Sequence, residues 1–197
     1  MKPKISVDFD RFSLLMPLMM LLEGQISQTA ALILAATLHE CGHLLAARFF
    51  CIPISSLHIS ILGARLDLGD PLLSYRREWL LCAAGPAFSF LFSCAAGLLR
   101  LVWQKEALVQ FAMISLALGV INLLPIGWLD GGRMFRAVCL QVLPQALSGV
   151  ILRAVSFLFF LALWMTSVYL LLRVGNSLSL FVFSYSLFLR FFLSDNG

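Results

Sequence analysis

Residues 26–50 read ISQTAALILAATLHECGHLLAARFF. A helix needs about 20 mostly apolar residues to cross the hydrocarbon core of a bilayer, and this stretch supplies them. Inside it stands His39-Glu40-Cys41-Gly42-His43, the pattern H-E-x-x-H. Residues four apart on a helix lie about 40° apart around its axis, so His39 and His43 share one face and can grip one zinc ion. Glu40 lies on the flank of that face, where a carboxylate can take a proton from water activated by the metal. Cys41 points away from the histidine face. At a rise of about 1.5 Å per residue, Glu40 is about 21 Å from one end of the stretch and about 15 Å from the other. An ionisable group at that depth costs roughly 2.5–3.5 kcal/mol on insertion scales, so it calls for a compensating use. A metal site is one.

The rest of the chain agrees with a membrane setting. Of 197 residues, 61% are hydrophobic and only 12% charged, with a mean hydropathy of +0.96. A soluble domain is nearer 45–50% apolar and about 25% charged. Apolar segments cover the length from near residue 12 to residue 193, which implies one polytopic membrane domain over residues 1–197. The net charge of +4 is spread out. No Lys/Arg run marks a nucleic-acid surface, and no nucleic-acid partner is expected; the lipid bilayer is the partner the composition demands. Five cysteines form no C-x-x-C pair and read as small hydrophobes. No small-residue cleavage site follows the first apolar run, so no removed leader is expected.

The spacing predicts an all-α membrane protein of about six transmembrane helices, at residues 12–22, 26–50, 78–103, 107–124, 150–172 and 178–193. Residues 52–68 differ: Ile54, Leu57, Ile59, Ile61, Leu66 and Leu68 interleave with polar residues about Gly63. That partial alternation reads as a small β-hairpin between the second and third helices. An open sheet edge is not viable in hydrocarbon, so the hairpin belongs at the interface or against protein. Residues 122–132, NLLPIGWLDGG, are too rich in Pro and Gly to read as regular helix. With six spans and the N-terminus inside, 11 of the 14 Lys and Arg fall on inside segments, leaving Arg100, Lys105 and Arg173 outside. By the positive-inside rule both termini are then cytoplasmic.

Two histidines do not complete a catalytic zinc site, which ordinarily has three protein ligands and a water. His58 sits in the hairpin, and Asp67, Asp70 and Glu78 sit in a charged loop that reads as solvated. Asp130 stands in the irregular segment after the fourth span, and irregular backbone at membrane depth is tolerated where it lines a cavity or is buried in protein. An isolated loop Asp is ordinarily a turn former. Beside an incomplete histidine pair, Asp130 is the favoured third ligand.

The order of motifs is H-E-x-x-H, then Ala84-Gly85-Pro86 in the next span, then N-x-x-P-x-x-x-L-D-G carried by Asn122, Pro125, Leu129, Asp130 and Gly131. This resembles the site-2 protease family of intramembrane zinc metalloproteases. Order, spacing and length are most similar to its sporulation stage IV factor B group, which processes an inactive sigma-factor precursor. Trp128 stands where that group often has Pro, and Cys41 where a larger apolar residue is usual. No CBS or PDZ domain is expected within the chain.

The resemblance implies one Zn2+ held by His39, His43 and Asp130, with Glu40 as general base. It implies that Asn122 hydrogen-bonds substrate backbone, although a helix-end cap explains that residue too. Gly85-Pro86 reads more simply as a kink and a close packing point. The implied substrate is a membrane-associated protein cut near the cytoplasmic side, with a regulatory membrane partner whose identity is open. Two other classes compete. A metal-binding scaffold without proteolysis does not need Glu40, and a cation transporter needs neither that Glu nor the L-D-G-G loop.

Overall fold

In the computed structural model of the chain, residues 6–9, 15–52, 54–60, 63–68, 74–174 and 185 are described. Helix α1 (Leu15–Leu22) is short, and a tight turn at Gly24 leads from it into α2 (Ile26–Phe49). The inward side of α2 is small or polar: Thr29, Ala31, Ala35, His39, Gly42, His43 and Ala47 are buried. Its large apolar residues, among them Ile33, Leu34, Leu45 and Phe49, face outward. Lipid is as apolar as leucine, so membrane helices gain more by bringing backbones close through small residues than by burying large ones.

Helix α3 (Tyr75–Trp103) follows the same rule, burying Leu81, Cys82, Gly85, Pro86, Ser89 and Ala96. A Cβ on Gly42 would lie 2.7 Å from the Ala84 carbonyl oxygen and 2.9 Å from the Phe88 ring, so only glycine permits this crossing of α2 and α3. Helix α4 (Glu106–Asn122) packs most extensively on α3 and also on α2. The Ser93 hydroxyl donates to the Ala112 carbonyl at 2.8 Å, and Ser27 donates to Gln110 Oε1 at 2.7 Å, which ties the three helices together. Residues 123–129 turn the chain back. Helix α5 (Asp130–Val142) packs against α3, and α6 (Gln145–Val174) packs chiefly against α5.

Among the described residues, three helices, α2, α3 and α6, are long and apolar enough to cross a membrane, and α4 is a shorter apolar helix. Six spans are therefore not supported among the described residues. Within the first apolar run, the described helix is the eight-residue α1. The expected sixth span, residues 178–193, lies outside the described residues except for Tyr185.

Part of the irregular 122–132 segment is also helical: Gly131 and Gly132 open α5. Their glycines serve contact with a neighbour, because a Cβ on Gly131 would collide with the Leu123 carbonyl and one on Gly132 with the Ile126 carbonyl. A count of Pro and Gly therefore misreads the segment.

Between α2 and α3 the chain forms β2 (Ile54–Ser60) and β3 (Gly63–Leu68). They pair antiparallel, with Leu57 opposite Leu66 and an irregularity at Ile54/Ser56. A third strand, β1 (Ser6–Phe9), which the sequence did not lead us to expect, pairs parallel with β2 in the order β1-β2-β3. Parallel strands need a long crossover, and α1 and α2 provide it.

Candidate metal centre

Helix periodicity puts His39 and His43 one turn apart on the buried side of α2, with rings edge to face at a centroid distance of 5.0 Å. They are 2% and 4% exposed. Each is anchored through Nδ1 by α3. His43 Nδ1 lies 2.8 Å from the Leu81 carbonyl oxygen, and His39 Nδ1 lies 2.9 Å from Ser89 Oγ. A carbonyl only accepts, so His43 must carry its hydrogen on Nδ1, which leaves the lone pair of a neutral ring on Nε2. A hydrogen bond from the outer ring nitrogen to a carbonyl is the usual way a ligating histidine is oriented.

Asp130 arrives from the other side, at the first residue of α5. Its Oδ2 lies 3.1 Å from Nε2 of both histidines, and the two Nε2 atoms are 3.3 Å apart. Electron-rich atoms so arranged repel unless a cation lies among them. Ligands placed tetrahedrally at about 2.0–2.1 Å from zinc are about 3.3 Å from one another, so spacing and donor chemistry both fit that ion. Among the described residues, His39, His43 and Asp130 form the one group of three such side chains whose donor atoms lie within 4.8 Å of one another.

The other residues singled out from sequence fall around this centre. Glu40 follows His39 on α2 and is half-buried. Asn122 is buried at the end of α4, where its amide nitrogen donates to the Leu118 carbonyl at 3.1 Å. No hydrogen bond joins Asn122 to the three clustered side chains among the described contacts. Arg133, one turn into α5, reaches Glu78 at 3.7 Å and links α5 to the start of α3.

Sequence reading missed three contributions from α3: the Leu81 carbonyl, the Ser89 hydroxyl and the bare face of Gly85. A Cβ on Gly85 would collide with His43 Nε2 and lie 2.7 Å from His39 Nε2. Gly85 is therefore the wall of the metal centre as well as a packing point. The available signal was spacing, since Leu81, Gly85 and Ser89 recur every four residues along one helix face.

Fold and donor set together define a polytopic membrane protein with a buried two-histidine, one-carboxylate centre. Comparison with known proteins narrows the class. The model of peptidase family M50 matches residues 102–166, a region that holds Asn122 and Asp130. Rip3 of Mycobacterium tuberculosis, named as a zinc metalloprotease, is 32% identical over 117 residues, which are 55% of this chain and 30% of that protein. Stage IV sporulation protein FB of Bacillus subtilis is 28% identical over 130 residues, 63% of this chain and 44% of that protein. The chain thus spans less than half the length of these curated relatives. The site-2 protease of Methanocaldococcus jannaschii shares the fold, with a TM-score of 0.65 over 91% of this chain and 89% of that one at 19% identity. The chain is thus similar to peptidase family M50 over residues 102–166 and to two curated bacterial proteins over part of their length, and it has the fold of a site-2 protease.

Proposed function

We propose that this chain is an intramembrane zinc endopeptidase, in which His39, His43 and Asp130 hold one zinc ion and Glu40 is the catalytic base. One observation carries the reading: the donor atoms of two buried histidines and the partly buried Asp130, contributed by two separate helices, converge at 3.1–3.3 Å. The anchoring of both Nδ1 atoms by α3 supports it. Bound there, zinc supplies the Lewis acidity that polarises a peptide carbonyl and lets water act as a nucleophile near neutral pH.

Glu40 accepts the proton that water loses as its oxygen bonds to the carbonyl carbon. It then returns that proton to the amine nitrogen as the C–N bond breaks. Asn122 spends one amide N–H on Leu118, and a carboxamide has three further hydrogen-bonding positions with which to hold an extended backbone. Gly42 and Gly85 keep the helices close around the centre.

The substrate we infer is a membrane-associated protein cut near the cytoplasmic side. Similarity to a sporulation protein supports a sigma-factor precursor as that substrate. With the six spans expected from sequence, 11 of the 14 Lys and Arg fall on inside segments, and that is the ground for proposing cytoplasmic termini. The test is Glu40→Gln in the full chain, assayed with a membrane-tethered substrate. Loss of a general base costs roughly 10²–10⁴-fold in rate, and the zinc content should equal wild type because Glu40 is not a ligand. Unchanged turnover would sink the peptidase mechanism; loss of zinc would put Glu40 among the ligands.

A further inference from the structure

Asp130 reaches the histidines because residues 123–129 swing the start of α5 back against α2. The segment is partly held by its own backbone, with Ile126 N–H donating to Leu124 at 2.7 Å and Leu129 N–H to Ile126 at 2.8 Å. A further hold comes from α6. Gly127 N–H donates to Ser156 Oγ at 3.0 Å, and the Ser156 hydroxyl donates to the Pro125 carbonyl at 3.2 Å. One side chain on α6 thus serves as donor and acceptor to two peptide groups of the loop. Ser156 is 3% exposed and stands in the apolar run Ala154-Val155-Ser156-Phe157-Leu158. Non-helical backbone within a membrane protein must find such partners.

The loop packs directly on the start of α5. The carbonyls of Leu123 and Ile126 lie in backbone contact with Gly131 and Gly132, the two residues after Asp130. Whatever displaces Pro125 and Gly127 therefore displaces the Asp130 carboxylate.

We propose that Ser156 is a positioning residue of the metal centre: it clasps Pro125 and Gly127 so that Asp130 Oδ2 stays against both histidine Nε2 atoms. Because α6 packs chiefly on α5, the clasp also makes the coordination depend on the placement of α6. This rests on the reading of His39, His43 and Asp130 as metal ligands.

The experiment loads the full-length chain with Co2+, whose visible spectrum reports coordination number and geometry, and follows its transfer to a chelator. His39→Ala sets the background. Ser156→Ala should release metal roughly 10-fold faster than wild type, the lower end of the cost of losing a group that orients a metal ligand. Its spectrum should be altered and its unfolding midpoint close to wild type. Ser156→Thr, which keeps the hydroxyl, should recover both rate and spectrum. Gly127→Ala should behave as wild type, because it keeps the N–H and its Cβ would meet Ser156 Oγ at an ordinary 3.9 Å. If Ser156→Ala does not accumulate as folded protein, Ser156→Cys, with its weaker hydrogen-bonding group, carries the same comparison. Wild-type spectrum and release in the hydroxyl-deficient variant overturn the clasp. Metal retention in wild type no better than in His39→Ala overturns the metal-site reading, and the clasp with it.

Discussion

At the scale of single residues, the contrast between Gly85 and Glu40 separates metal loading from catalysis. Replacing it with alanine favours the helix itself by about 1 kcal/mol, so α3 should form at least as well. The new methyl group, however, occupies the space of His43 Nε2 and crowds His39 Nε2. Gly85→Ala should therefore lose zinc and cleavage together, by roughly 100-fold in metal affinity, the upper end for groups that orient ligands. Metal analysis of the purified variant checks this, and full zinc occupancy would refute it. Glu40→Gln should show the opposite pattern, inactive but loaded.

The contrast also explains what sequence can and cannot disclose about the site. His39, Glu40 and His43 are legible because one helical turn fixes their relation. Asp130 is legible by elimination, acids being few in so apolar a chain. Gly85, Ser89, the Leu81 carbonyl and Ser156 act across helices, and no local spacing specifies which turn of α3 or α6 faces α2 or the 123–129 loop.

At the scale of elements, the sheet order redirects an idea the hairpin suggests. A transmembrane substrate hides its peptide groups in its own helix and must be extended before cleavage. An edge strand can offer it replacement backbone partners by strand addition. The order β1-β2-β3 puts β2 between two neighbours, so it has no edge to offer. Among the described residues the outer edge of β3 does, and β3 touches α2, which carries His39 and Glu40. Successive N–H groups of a strand point to opposite sides, so proline at Arg65, Leu66 and Asp67 in turn probes the inner and outer rows. Proline in the outer row should slow cleavage of a tethered substrate by about 5-fold for a bond of about 1 kcal/mol, with zinc unchanged. Proline in the inner row should damage the sheet itself. Wild-type rates for every zinc-loaded outer-row variant would show that β3 does not hold the substrate.

Strand alternation around Gly63 is visible in the sequence because it is local. Strand β1 is not, for it has four residues and its partner Ser56 lies 50 positions from Ser6. Helix α5 was obscured by Gly131-Gly132, whose small size answers to the carbonyls they pack against rather than to a turn.

At the scale of the whole molecule, the helix directions and the charge distribution make one joint statement. Helix α2 runs toward the ligand end and α3 starts there; α5 begins with Asp130 at that same end. The α3–α4 turn at Gln104-Lys105 lies at the opposite end, a full helix length away at about 1.5 Å per residue. If the excess of Lys and Arg marks the cytoplasmic side, the metal centre is nearer the cytoplasm and the Lys105 turn faces out. Cys51, exposed just beyond the end of α2, is a natural reporter of the inner side. In intact cells a membrane-impermeant thiol reagent should spare Cys51 and modify an introduced Lys105→Cys. After permeabilisation both should react. Cys82 and Cys139 are buried and should remain silent in the folded protein, and Cys94, exposed on the long apolar helix α3, should stay out of reach of a charged reagent if that helix spans the bilayer. Labelling of Cys51 in sealed cells, with Lys105→Cys protected, would invert the topology and move the cleavage site to the outer half of the bilayer.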